Sequence, residues 1–204
     1  MIDDLNWAIG GEAGHGIDST GKIFAQALSR AGRHVFTSKV FASRIRGGYT
    51  SYKIRTAIVP VQSVVDRMDV LVALTKRTVE ENLSQLHEKS IIIYDGERTM
   101  MKDFEPPGDI TSLNVPLQRL AEEAGNAIMR NIVALGATCA ATNFPLSNLD
   151  ESLEKQFSRK GSELVDNNKK AALLGYNYIL ENYNPSDFGY ILEYTDANYV
   201  LLNG

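Results

Sequence analysis

At 204 residues, with 44% hydrophobic and 23% charged side chains, the chain has the length and make-up of one globular domain, which excludes a disordered or fibrous protein. Its apolar runs fall short of the roughly 18–20 residues of a membrane span, acid rather than base follows Met1-Ile2 at Asp3 and Asp4, and a lone cysteine, Cys139, can neither form an internal disulfide nor hold a metal cluster by itself. The net charge of −4 and the lack of a binding motif argue against nucleic acid, so the expectation is a soluble, cytoplasmic protein with neither a membrane nor a nucleic-acid partner.

Leu5 to Ile9 is a short apolar run that stops at Gly10-Gly11 and reads as a buried strand. A glycine-rich turn, Gly10 to Gly16, follows it. Ile17 to Ala31 then has a helical period through Ile23, Phe24, Ala27 and Leu28, closed by Gly32. With a strand at His34 to Thr37 this makes a strand–turn–helix–strand unit, the start of a parallel sheet. Thr50 to Ile58 alternates Tyr52 and Ile54 with Lys53 and Arg55, as a half-exposed strand does. Val70 to Leu74 and Ser90 to Tyr94 are continuous apolar runs suited to strands covered on both faces, separated by a predicted helix over 78–87 with Val79, Leu83 and Leu86 on one side. Residues 96–109, holding Pro106-Pro107-Gly108, read as a surface excursion, 110–115 as a strand and 116–125 as a helix opened by Pro116. The remainder is helical over 128–142, 149–157 and 162–183, the last with Leu164, Asn168, Ala171, Ala172, Gly175 and Ile179 on one face. The expected fold class is therefore α/β: a mostly parallel sheet with helices on both faces and a helical C-terminal third.

Charge is unevenly placed along this frame. Between Ser19 and Val65 stand eight basic residues and no acidic one, leaving 13 basic against 25 acidic elsewhere. Such a segment suits a local anion site or an acidic partner. Within it, Ser43-Arg44-Ile45-Arg46-Gly47-Gly48-Tyr49 combines two guanidinium groups, apt for phosphate or carboxylate, with glycines that let the backbone turn closely. The second singular segment is Gly10-Gly11-Glu12-Ala13-Gly14-His15-Gly16, where accessible amides precede a helix N-terminus, a setting that favours phosphate. Its glycine order is not the dinucleotide fingerprint. Gly16 to Lys22 matches G-x-x-x-x-G-K, but Ile23 stands where a P-loop needs Ser or Thr for Mg²⁺, which sets a phosphate-binding NTPase behind the other readings. The candidate binding residues are Gly10, Gly11, Gly14, His15, Gly16, Arg44, Arg46, Gly47 and Gly48; none is assigned a catalytic or metal-ligating role. Cys139 reads as a buried small hydrophobe, His34 and His87 as residues at element ends, and Asn131 and Asn168 as helix-packing or polar interface residues rather than ligand contacts.

The two segments together, with Asp69 to Leu74, Asn131 to Ala137, and Asn168 with Gly175, resemble the gamma domain of 2-oxoacid:acceptor (ferredoxin) oxidoreductases, in the form fused to the N-terminus of an alpha subunit. His15 and Tyr49 depart from the family's frequent glutamine and histidine. The resemblance implies residues 1–183 as the gamma domain and 184–204 as an extension or linker, the ending Leu201-Leu202-Asn203-Gly204 being similar to a junction with a following domain. It implies a part in oxidative decarboxylation of a 2-oxoacid such as pyruvate or 2-oxoglutarate to acyl-CoA. Thiamine diphosphate, Mg²⁺ and iron–sulfur clusters would then sit elsewhere in the complex, and alpha and beta subunits and ferredoxin would be the partners. For this chain it leaves coenzyme A binding and subunit assembly, with no catalysis alone. The alternative is a purely structural interface module.

Overall fold

The computed structural model describes residues 4–41, 48–108 and 110–192. Six strands, β1 (Asp4–Glu12), β2 (His34–Val40), β3 (Tyr49–Ala57), β4 (Met68–Ala73), β5 (Leu86–Tyr94) and β6 (Thr111–Asn114), form one sheet in the order β2-β3-β1-β4-β5-β6. The four strands β1, β4, β5 and β6 are parallel, in register through Trp7–Val70, Val72–Ile93 and Ile93–Leu113. β3 runs antiparallel to β1 along nine residues, from Asp4–Ala57 to Glu12–Tyr49, and antiparallel to β2 on its other side. The first two strands are thus parallel but not neighbours, because β3 is inserted between them.

Among the described residues there are six α-helices: α1 (Ile17–Arg30), α2 (Lys76–Asn82), α3 (Leu117–Ala124), α4 (Arg130–Ala141), α5 (Leu146–Phe157) and α6 (Ser162–Asn182). They are shared unequally between the two faces. Trp7, Ile9, Val70, Val72, Ile91 and Ile93 bury their side chains in a large core with α1, α3, α4, α5 and α6. The opposite face (Ala8, Leu71, Ala73, Ile92) is covered by Val79 of α2 and by Phe104 and Ile110 of the long excursion. Period-2 alternation within uniformly apolar strands follows from this double cover. α4 is buried from Asn131 to Ala141, which accounts for its alanine content. It crosses α6 at touching distance: a Cβ at Gly136 would stand 1.8 Å from the Ala172 carbonyl oxygen, and one at Gly175 2.0 Å from that of Val133.

The predicted helix over 78–87 is shorter and starts earlier. Thr75 caps it, its Oγ1 accepting the Thr78 N–H at 3.3 Å. The helix tightens into a 3₁₀ turn at Leu83–Gln85, and Leu86 and His87 already belong to β5. Leu83 is 51% exposed, so its spacing from Val79 and Leu86 is not a buried face. Ser90 draws the strand in, accepting from the His87 N–H at 2.8 Å and donating to the Met68 carbonyl at 2.7 Å.

Beyond α6 the chain folds back onto the core at Tyr190 and Leu192, both buried. Tyr190 donates to the Lys89 carbonyl at 2.8 Å, and the Leu192 N–H to that of Thr142 at 3.0 Å. Near the start of β4, the buried Asp69 carboxylate gathers the Asn6 N–H at 2.7 Å, Arg67 Nε at 3.1 Å and His87 Nε2 at 3.1 Å. None of the helices among the described residues is long and apolar enough to cross a membrane.

Candidate functional site

In open α/β sheets ligands collect beyond the C-terminal ends of the parallel strands. Here those ends carry the turn after β1, Thr75 after β4, Asp95 after β5 and Val115 after β6. β1 continues to Glu12 because β3 pairs with it that far, so Gly10 and Gly11 are ladder residues rather than turn residues. The Gly10 carbonyl accepts the Leu74 N–H at 3.0 Å. The turn itself is Ala13 to Gly16, with Gly14 at φ 94° and Gly16 at φ 76°, in left-handed backbone that favours glycine. Gly16 caps α1 and provides no side-chain oxygen for the amides of the first turn, which keep their partial positive charge.

The turn forms one wall of a cleft of about 590 Å³. Gly14, His15 and Gly16 face Arg130 and Asn131 at the start of α4, with Leu164 and Asn168 of α6 behind them. Asn131 joins the walls: its Nδ2 donates to the His15 carbonyl at 2.7 Å and to Thr20 Oγ1 at 3.1 Å. Its Oδ1 is buried and has no partner among the described residues. Arg130 is half-buried and makes no hydrogen bond or ion pair among the described residues. Burial lowers its pKa, the Arg98 guanidinium lowers it further, and Asp95 opposes them. Asp95 is occupied as a cap, accepting the Gln118 N–H at 2.9 Å and the Glu97 N–H at 3.1 Å, and burial raises its pKa. His15 Nδ1 accepts the Glu12 N–H at 3.2 Å, and the neutral ring is favoured by burial first and then by the Arg130 charge. Chemically this is an anion-receptive cleft with apolar walls.

Of the candidate residues, the structure places Gly14, His15 and Gly16 on the cleft and Gly10 and Gly11 beneath it. Gly48 touches the turn from the side, its carbonyl accepting the Ala13 N–H at 3.0 Å. Arg44, Arg46 and Gly47 lie outside the described residues. Lys22 is held by Asp18 at 2.6 Å on α1, and Ile23 is buried against the core, an arrangement unlike a P-loop. Arg130 carries little signal in the sequence, because it stands in the apolar, alanine-rich stretch 128–142. A cation in the first turn of a helix opposes the helix dipole, and that was the available signal. Asn131 and Asn168, read as packing residues, both line the cleft. Cys139 is buried, as expected of a small hydrophobe, and burial pushes its thiol pKa up.

A family model described as pyruvate ferredoxin/flavodoxin oxidoreductase matches residues 6–178. The ketoisovalerate oxidoreductase subunit VorA of Methanothermobacter marburgensis is 29% identical over 177 residues, 85% of this chain and 36% of that protein. The pyruvate synthase subunit PorC of Thermotoga maritima is 26% identical, covering 86% of this chain and 94% of that one. Among solved structures, the 2-oxoglutarate:ferredoxin oxidoreductase of Magnetococcus marinus, with 2-oxoglutarate, coenzyme A and succinyl-CoA bound, superposes with a TM-score of 0.84 at 29% identity. That match covers 96% of this chain and 34% of the other, so the chain spans about a third of these two longer relatives.

Proposed function

The chain belongs to the pyruvate ferredoxin/flavodoxin oxidoreductase family, and we propose that it serves a 2-oxoacid:ferredoxin oxidoreductase as its gamma module, holding coenzyme A for acyl transfer and helping to join the subunits. The carrying observation is the cleft at the strand ends, where the uncapped first turn of α1 faces an arginine that makes no hydrogen bond or direct ion pair among the described residues. Coenzyme A is a phosphate-bearing ligand with a long, partly apolar arm. The residues present suit it: the first-turn backbone amides of α1 after Gly16 and the Arg130 guanidinium for phosphate, and Ile132, Phe157 and Leu164 for apolar contact. When bound, coenzyme A would supply the thiol that accepts the acyl group. This chain's part would be to seat it and to shield it from water.

Arg44 and Arg46 add to the positive charge of the same site in this proposal. What supports them is Gly48, two residues beyond Arg46, whose backbone is bonded to Ala13. Residues 1–183 would be the family domain and 184–204 the extension that leads from it. Thiamine diphosphate, Mg²⁺ and iron–sulfur clusters would sit elsewhere in the complex; for the clusters, the single buried Cys139 cannot ligate one by itself. Ile128, 81% exposed at the mouth of the cleft, is a natural surface for an alpha or beta subunit to cover.

Calorimetric titration of this chain with coenzyme A tests the reading. Binding is expected, weakened several-fold in Arg44→Ala/Arg46→Ala. Equal affinity of the double variant removes those arginines from the site; a wild-type chain that takes up no coenzyme A leaves only the assembly role.

A further inference from the structure

Asn131 uses half of its hydrogen-bonding capacity. Its orientation is set by chemistry, because only the Nδ2 group can donate to the His15 carbonyl. The unmet atom is therefore an acceptor, Oδ1, on a side chain 5% exposed that lines the cleft. Buried acceptors are costly to leave unpaired, and such an exception calls for an explanation. A ligand that brings an N–H or O–H supplies one. Arg130, the preceding residue, lines the same cleft as a cation that makes no hydrogen bond or direct ion pair among the described residues, Asp95 acting on it only at longer range, and Lys160, 5.9 Å from the Phe157 ring centroid, adds a second positive group. Ile23, Ile132 and Leu164 provide the apolar wall between them.

We infer that the cleft recognises its ligand by a pair of features, an anionic group at Arg130 and a hydrogen-bond donor delivered to Asn131 Oδ1. The inference rests on the ligand-binding reading above and sharpens it. Both ends of coenzyme A carry the pair: the adenosine 3′,5′-bisphosphate end has phosphates with an amino group, and the phosphopantetheine arm has a phosphate with amide N–H groups and a hydroxyl. The shared chemistry is what the cleft reads, and fragments separate the two sources.

The test titrates this chain, Asn131→Ala and Arg130→Ala with adenosine 3′,5′-bisphosphate, 4′-phosphopantetheine and inorganic phosphate. One fragment is expected to bind and to lose about tenfold in Asn131→Ala, the scale of one buried hydrogen bond. Inorganic phosphate should bind that variant as it binds the wild type, while Arg130→Ala weakens both. Thr20→Val, which removes a partner of Nδ2 and leaves Oδ1 in place, should keep the fragment's advantage over phosphate. Should Asn131→Ala fail to fold, the binding fragment methylated until the donor nitrogen carries no hydrogen (twice at the adenine amino group, once at a pantetheine amide) deletes the donor from the ligand instead, with the same expected loss. Equal binding of the fragment with and without the Asn131 acceptor, an equal loss for phosphate, or no fragment binding at all overturns the inference. Coenzyme A bound equally by wild type and Asn131→Ala does so as well, while leaving the coenzyme A reading intact. A fragment bound through Asn131 with coenzyme A itself rejected does the reverse.

Discussion

Neutral imidazole is the form of His15 that the turn after β1 is built to hold. Nδ1 accepts a backbone N–H, burial disfavours the cation, and Arg130 repels it, all of which set the folded pKa below the ordinary 6.5. A base whose pKa is depressed by folding binds protons more readily when unfolded. Its contribution to stability is complete above pH 6.5 and is lost as the pH falls below that value. The melting temperature is therefore expected to drop between pH 7.5 and pH 5.5, and to drop less in His15→Gln, whose amide oxygen can still accept from Glu12. Asp95 and Asp150, whose pKa values burial raises, act in the opposite direction in both proteins, so the difference between the two curves isolates the imidazole. Parallel curves would show that the ring is not titrating against the fold.

At the scale of elements, the crossing of α4 and α6 is the tightest joint in the molecule's helical layer. Gly136 and Gly175 each face a carbonyl oxygen of the other helix at a distance no Cβ could share. Gly136→Ala or Gly175→Ala must push two backbones apart, at a cost of about 1–3 kcal/mol. Denaturant unfolding followed by the fluorescence of Trp7, the chain's single tryptophan, buried beside Phe24 at a ring separation of 4.9 Å, would measure it. A loss under about 1 kcal/mol would mean that the helices can slide to make room. The late helix was legible because its small residues recur on one face. The strands β4 and β5 were legible as unbroken apolar runs. The reach of α2 was not, since Leu86 fits a helical spacing from Val79 yet pairs in β5, and spacing alone cannot tell the two apart. The place of β3 between β1 and β2 was equally hidden, because strand order depends on which neighbours pair and leaves no mark on periodicity.

For the molecule as a whole, charge separation sets the conditions under which it works. The basic segment from Ser19 to Val65 sits in a chain that is otherwise strongly acidic. Affinity for coenzyme A is expected to fall several-fold between 50 mM and 500 mM salt, and less steeply in Arg44→Ala/Arg46→Ala. A salt-independent affinity would locate the binding energy in apolar contact alone. The glycines and the helix behind them were readable from residue types, because left-handed backbone and helix starts have local signatures. Arg130 and Asn131 were not so read, because what distinguishes them is a missing partner, and a missing partner exists only once the chain has folded.

The single backbone bond between Ala13 and Gly48 ties two stretches that are distant along the chain. β3 descends beside β1 from its first residue, so the link between β2 and β3 ends at the shoulder of the turn after β1. A change in the length of that link would act on the turn through the Gly48 carbonyl and the Ala13 N–H it accepts. Related chains that differ only in the span of this connection are therefore expected to differ in ligand preference.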